Sequence, residues 1–297
     1  MLHETIQAAA MRKMIRFFIV LIVLQLSFFG YADSLSAHRQ ETPNVLRVGI
    51  FPYKSPRSIL STFAPIAVKL EQKLGMKVQI VTAPDAATYM LRAKAGEYDL
   101  ALPCVACFFD IQSAGYRIIA MGSPPFHGGV IVRQDSDLAL GRQFKGRKVA
   151  AVGSHSYAGY LFFREQLTDI SLDPDKDVDF HFLGKLETII FGVINKEYDA
   201  GVIRLDSLES PTFAEVKKSL RVVARSVAVP QFPFVVNNNL SDAVVAGIRE
   251  VLTSLSADQD EDREILESLQ IKKIVPAENG DFEEIRKHIE KVGSIAY

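Results

Sequence analysis

The feature that most constrains the fold is an exchange of two hydrophobic periods along residues 45–292. Short β-branched and apolar runs alternate with stretches whose apolar residues recur every three or four positions. Val45–Phe51 reads as a strand, and the proline-containing stretch after it breaks the strand. From Ser58 on, Ile59, Phe63, Ile66, Leu70 and Leu74 mark one face of a helix that Gly75 ends. Lys77–Thr82 predicts the next strand, Asp85 the cap of a helix ending at Gly96, and Tyr98–Leu102 a third strand. A helix over Cys107–Ala114 and strands over Arg117–Met121 and Gly129–Arg133 complete a first unit. The second unit reads as strand Lys148–Val152, polar turn Gly153–Gly159, helix Tyr160–Leu167, strand Val178–Leu183, helix Glu187–Asn195 and strand Asp199–Ile203. A strand at Leu220–Ala224 and helices over Ser241–Ser256, Asp262–Leu269 and Phe282–Val292 follow. Such alternation implies an α/β chain with open, mostly parallel sheets and helices on both faces.

The two units share a local order that ends in a strand beginning Tyr-Asp. Gly96-Glu97-Tyr98-Asp99-Leu100 and Lys196-Glu197-Tyr198-Asp199-Ala200 are the clearest match. Two lobes of related plan follow. Ligands of open α/β sheets sit beyond the carboxyl ends of the strands, so two facing lobes place those ends around one cleft.

The amino terminus reads as an address. Met11–Arg16 is basic, and Phe17–Phe29 (FFIVLIVLQLSFF) is an apolar run of 13 residues before Gly30-Tyr31-Ala32. That order predicts a secretory signal peptide over residues 1–32, cleaved after Ala32, with residues 33–44 as a polar tether. A retained anchor is the alternative, although a span takes about 20 residues. No cysteine follows the run, so no acyl anchor is expected, and Met11 is an alternative start. Composition of the whole chain is globular, with 48% hydrophobic and 23% charged residues, which excludes a disordered chain. The net charge of -1 carries no global basic bias, so no nucleic-acid partner is expected.

Eight short pieces in order carry a resemblance. They are Leu46-Arg-Val-Gly-Ile-Phe-Pro52, Phe63-Ala-Pro65, Leu74-Gly75, Ala83-Pro84-Asp85, Gly96-Glu-Tyr-Asp-Leu100, Gly146-Arg-Lys-Val149, Ser156-Tyr-Ala-Gly-Tyr-Leu161 and Tyr198-Asp-Ala-Gly201. Together, from about Val45 to Lys272, the chain resembles the phosphate/phosphite/phosphonate-binding family of periplasmic substrate-binding proteins of ABC importers. The resemblance implies a two-lobed periplasmic-binding-protein fold, type II-like, with two hinge strands closing on a small oxyanion. Lobe 1 is expected over residues 45–133 and 234–297, and lobe 2 over 134–233, with crossings near Arg133–Asp135 and Ala228–Pro233.

Candidate ligand residues follow. Gly153-Ser-His-Ser-Tyr-Ala-Gly159 leaves a strand and opens a helix, where free N–H groups and the helix dipole attract an anion. Ser154 and Ser156 add hydroxyls, and an ordinary serine cap without ligand is the alternative. The family usually shows Ser-Thr-Ser-Gly here; this chain has Ser156-Tyr157-Ala158-Gly159, which keeps one hydroxyl, turns one into a phenol and loses one. Where the family often has a tyrosine after the Ala-Pro-Asp piece, this chain has Ala86, and Tyr53, Lys54 and Ser55 are the residues placed to compensate. Phe126-His127-Gly128 follows Pro124-Pro125, where the family often has an aromatic residue reaching the anion; His127 is the candidate donor there, and a hinge or surface histidine is an equal reading. Arg204, five residues past Asp199, is placed either to clamp an anion bidentately or to sit on the surface. Asp206 lies near where the family places an acid that holds a ligand amine, or it pairs with Arg204. The family's histidine falls at Lys185 or Leu186, and its second acid is missing from Val229–Pro233. These departures point away from aminoalkylphosphonates and toward a different oxyanion, a carboxylate or a sulfonate.

Cys104-Val-Ala-Cys107 follows a strand, and three readings stand: a local disulfide, a redox-active pair, or half of a metal site. Two cysteines make neither a disulfide scaffold nor a four-cysteine zinc site, and no histidine follows Cys107 for haem attachment. No Gly-x-x-x-x-Gly-Lys loop, Gly-x-Gly-x-x-Gly or Gly-x-Ser-x-Gly elbow occurs, so no cofactor, metal or catalytic residue is expected. The expected function is a non-enzymatic periplasmic receptor that closes on its ligand and engages a membrane permease. A ligand-sensing input to a membrane sensor or chemoreceptor, and a thiol–disulfide protein, are the alternatives.

Overall fold

Within residues 45–293, which the computed structural model describes, the alternating pattern resolves into two mixed sheets. The export segment and tether expected over residues 1–44 lie outside the described residues. No helix among the described residues is long and apolar enough to cross a membrane.

The first sheet is built by β1 (Val45–Ile50), helix α1 (Pro56–Leu74), β2 (Lys77–Val81), helix α2 (Ala86–Lys94) and β3 (Leu100–Leu102). Ser55 caps α1, its Oγ accepting from the Ser58 N–H at 3.3 Å, and Pro56 needs no donor at the first helical position. Ile59, Phe63, Ile66 and Leu70 form the buried face of α1, and Gly75 ends it at φ 66°. Asp85 caps α2 through the Thr88 N–H at 2.7 Å. Helix α3 (Val105–Gln112) leads to β4 (Tyr116–Ser123), and the chain then crosses to the second sheet.

The second sheet holds β5 (Gly128–Arg133) and β6 (Lys148–Ala151). After β6 comes a π turn over Tyr157–Leu161 that runs straight into α4 (Phe162–Asp169), then β7 (Asp179–Phe182), α5 (Leu186–Ile194), β8 (Ala200–Arg204) and β9 (Leu220–Arg225). The return strand β10 (Pro233–Asn237) re-enters the first sheet, followed by α6 (Asp242–Thr253), α7 (Asp260–Ser268), β11 (Lys273–Pro276) and α8 (Glu283–Val292). Strand orders are β11-β4-β10-β3-β1-β2 and β7-β6-β8-β5-β9.

Two expectations are corrected. The sheets are mixed rather than mostly parallel: β1, β2 and β3 run parallel, as do β6, β7 and β8, while β4, β5, β9, β10 and β11 pair antiparallel. Parallel neighbours need a helical crossover, and strands passing directly between sheets have none. The first crossing also comes earlier than expected near Arg133–Asp135, because β5 belongs to the second sheet. Both crossings, residues 124–127 and 226–232, meet in an antiparallel bridge between Phe126 and Val229. Phe126 N–H donates to the Val229 carbonyl at 3.0 Å, and Val229 N–H returns the bond at 2.7 Å.

The paired Tyr-Asp pieces do the same job in each sheet. Asp99 Oδ2 accepts from the Arg47 N–H at 2.7 Å, and Asp199 Oδ2 accepts from the Lys148 N–H at 2.9 Å. Each aspartate thus ties the start of one strand to the start of its parallel neighbour. Burial raises the Asp99 pKa, and the Arg47 N–H offsets part of that rise. Tyr98 is fully buried against Gly49 and stacks on Tyr89, with ring centroids 5.1 Å apart.

Helix α8 does not stay with the first lobe alone. Its lead-in residue Phe282 packs edge-on against Phe108 of α3, and Arg286 donates to Gln112. On its other side, Lys291 Nζ donates to the buried Glu165 of α4 at 3.0 Å, and His288 Nδ1 lies 2.9 Å from the same carboxylate. One apolar cluster therefore runs from Tyr89 and Phe108 of the first lobe through Ile285 and Ile289 to Phe162 and Leu167 of the second.

A Cβ on Gly49 would fall 2.4 Å from Tyr98 Cγ, inside a stacked and fully buried pair. Gly49→Ala is expected to lower stability by about 1–3 kcal/mol, the usual cost of overpacking. Urea unfolding would show a lower midpoint with an unchanged slope; an unchanged midpoint would mean the tyrosine pair gives way without cost.

Candidate functional site

The carboxyl ends of the parallel strands in both sheets open on one cleft. Residues after β1 (Pro52, Tyr53), β6 (Val152) and β7 (Gly184), with the end of β8 (Arg204), line a mouth of about 880 Å³. Beneath it lies an inner chamber of about 290 Å³ that shares Tyr53, Ser156, Arg204 and Phe232 with the mouth.

Four helices start at this cleft. Deep in it, α3 begins from the first lobe at Cys104–Val105, and the π turn that feeds α4 begins from the second at Ser156–Tyr157. At the mouth, α1 begins at Ser55 and α5 at Lys185. The first N–H groups of a helix have no acceptor within it, and its dipole makes that end positive. Ser156 Oγ takes the Gly159 N–H at 3.1 Å, and the cap sulfur of Cys104 takes the Cys107 N–H at 3.0 Å. The amides ahead of these, at Val105 on one side and at Tyr157 and Ala158 on the other, open their helices at the chamber wall. Gly159 also lines the mouth, where a Cβ would meet Val152 at 2.6 Å.

Arg204 reaches the cleft, but with its donors committed. Nε and Nη2 each bond Asp206 at 2.6 Å, Nη1 bonds Gln231 Oε1 at 3.1 Å, and Nη2 also bonds the Gln270 carbonyl at 3.1 Å. Its guanidinium lies 4.1 Å from the centroid of the Phe126 ring. Of the two sequence readings for Asp206, the structure has the pair with Arg204, and Asp206 lines neither chamber. The charge of Arg204 is thereby largely cancelled where it stands.

Tyr53 lines both chambers and faces Phe232 at 6.3 Å. Burial raises its phenol pKa, and the Ser268 side chain lowers it by less. The Tyr157 phenol is raised further, by burial first and then by the charges of Glu165 and Glu284 behind the cleft, so it stays neutral. His127 is not a cleft residue: Nδ1 sits 3.1 and 3.2 Å from the carbonyls of Ser226 and Val227, inside the paired crossings. Ser154 stands in the turn but outside the lining of either chamber. Cys104 and Cys107 are joined in a disulfide with Cα atoms 4.9 Å apart, in the first turn of α3. Both cysteines are buried, at 6% and 0% exposure, which leaves little access for an exchanging thiol. Among the described residues no cluster of three or more His, Cys, Asp or Glu could hold a metal ion.

Residues that the sequence did not mark as ligands also line the cleft. His155 lines the inner chamber and meets Phe51 edge-on at 5.3 Å, across the two lobes. Ser268, the last residue of α7, and Gln270, in the loop before β11, lie far along the chain, and their positions carried no motif. Phe51 and Phe232 read in sequence only as apolar residues near strand ends.

Burial lowers the His155 pKa below 6.5, so the imidazole is neutral at neutral pH. The unfolded chain takes up that proton near pH 6.5 while the folded chain resists it, so stability is lost as pH falls through 6.5 toward the folded value. His155→Gln is expected to flatten this part of the stability–pH curve between about pH 7 and pH 5. Thermal midpoints of both proteins across that range measure it, and an identical slope in the variant would refute it.

Comparison with known proteins gives the site a setting. A family model described as "ABC transporter, phosphonate, periplasmic substrate-binding protein" matches residues 48–282. The phosphonates-binding periplasmic protein of Escherichia coli (strain K12) is 26% identical over 232 residues, 73% of this chain and 68% of that protein. Among solved structures, a binding-protein component of an ABC phosphonate transporter from Pseudomonas aeruginosa superposes with a TM-score of 0.67 at 23% identity, covering 82% of this chain and 85% of that one. PhnD1 from Prochlorococcus marinus, solved with methylphosphonate, gives 0.71 at 16% identity, covering 86% of this chain and all of that one (100%). These superpositions establish a two-lobed periplasmic-binding-protein fold, and the family match extends over most of the chain. The chain belongs to the phosphonate-binding family of periplasmic substrate-binding proteins of ABC transporters.

Proposed function

We propose that this chain binds a phosphonate in the inner chamber, closes its two lobes over it, and presents the loaded form to the permease of an ABC importer. The observation that carries the reading is the meeting of two helix N-termini from opposite lobes, at Val105 and at Tyr157–Ala158, across one chamber. Amides from both sides give an oxyanion donors that exist together only when the lobes face each other. Ligand then favours the closed arrangement by its differential affinity, and no bond of the ligand changes. Ser156 positions the second-lobe amides, Tyr53 and His155 supply side-chain polar groups, and Arg204 with Asp206 braces the wall. The crossings at residues 124–127 and 226–232 serve as the hinge. The family and the basic–apolar amino terminus both favour the periplasm, after cleavage near Ala32.

The chain, stripped of ligand in denaturant and refolded, is expected to gain stability from methylphosphonate. At about 100 times Kd the gain is roughly 2.7 kcal/mol. Ser156→Ala is expected to lower the starting stability by about 1 kcal/mol through the lost cap, and to shrink the ligand-induced thermal shift besides. The difference between shifts, rather than the starting midpoint, reads the binding role. No shift with methylphosphonate, phosphite or phosphate would overturn the proposal.

A further inference from the structure

The inner chamber is apolar on one side and has no acidic residue in its lining. Among the described residues that line it, none is Asp or Glu. The nearby acid, Asp206, is held by two 2.6 Å bonds to Arg204 and stays out of the lining. Phe51, Val105, Val152, Val229 and Phe232 make up much of the wall. The carboxylates of the cleft, Glu187 and Glu267, line the mouth instead.

Resting on the phosphonate reading above, we infer that this chamber selects phosphonates carrying an uncharged alkyl substituent of several carbons and rejects aminoalkyl ones. Three physical points carry the inference. An ammonium in the chamber would face two positive helix ends, with no carboxylate in the lining to replace its lost hydration. His155 offers it no compensating charge, since an imidazole is either neutral or positive. An alkyl chain instead gains the transfer free energy of each methylene that leaves water for the apolar wall. The size agrees: a single water needs only about 10–15 Å³ of such space, whereas the chamber offers about 290 Å³, so a tetrahedral head leaves room for carbon. The head sits at the helix ends, and the substituent points along Phe51, Val152 and Phe232.

Isothermal titration of the ligand-free protein, expressed from the full chain, with methyl-, ethyl-, propyl- and butylphosphonate and with 2-aminoethylphosphonate tests this. Kd is expected to fall by roughly fourfold per added methylene until the chamber is filled. 2-Aminoethylphosphonate, matched in heavy atoms to propylphosphonate, is expected to bind at least about tenfold more weakly than it, as an unpaired buried charge requires. A flat series from methyl to butyl, or 2-aminoethylphosphonate binding as well as propylphosphonate, would overturn the selectivity while leaving the phosphonate reading intact. Binding of none of the five would overturn both.

Discussion

The two hydrogen bonds between Phe126 and Val229 set how the halves of this molecule face each other. Each sheet is built locally, from strands and helices joined by short turns. Only the two crossing segments carry the chain from one sheet to the other, and they bond each other midway, where Phe126 meets Val229. Around that bridge the groups that shape the cleft are arranged. Phe126 carries the Arg204 guanidinium on its face, Gln231 links Arg204 to the Pro124 carbonyl, and His127 is engaged by the Ser226 and Val227 carbonyls. A residue near a crossing thus has its polar groups spent on holding the crossing, which is why His127 does not reach the chamber.

The recognition proposed for this cleft leans on backbone rather than on formal charge. A guanidinium paired bidentately with a carboxylate contributes little net field, and its value lies in rigidity. Arg204 ties β8 to the crossing and, through the Gln270 carbonyl, to the first lobe. Amides at helix ends cost no desolvation of a free charge and keep a fixed direction, so they suit an oxyanion that must be released again. The Cys104–Cys107 disulfide belongs to the same scheme: it locks the first turn of α3, whose amides meet the chamber. Behind the cleft, α8 packs on helices of both lobes, so the core is continuous where the cleft is not.

The sequence and the structure part company in a physically consistent way. The amphipathic face of α1, the caps Ser55 and Asp85, and the stop at Gly75 were legible because each depends on neighbours within a few residues. The Tyr-Asp repeat was legible as likeness, but its purpose, an aspartate bonding a backbone amide of the parallel neighbour strand, needs a partner 51 or 52 positions away. Ser156, Tyr157 and Gly159 were found because a polar turn between strand and helix is a local signature. Ser268 and Gln270 were not, because they reach the cleft from a distant segment, and His155 was not because its partner Phe51 comes from the other lobe.

By itself the sequence determined the class of elements, their order, the two-lobed plan and the turn that opens a helix at the cleft. These rest on periodicity and short-range hydrogen bonding, which the chain expresses residue by residue. The tertiary structure alone decided which strands run antiparallel, where the chain changes sheets, and that Arg204 is a brace locked to Asp206. It also decided that the inner chamber has an apolar wall without a carboxylate. Those outcomes depend on which distant groups come within about 3 Å of one another, where a hydrogen bond is made or lost, and no local pattern encodes that distance.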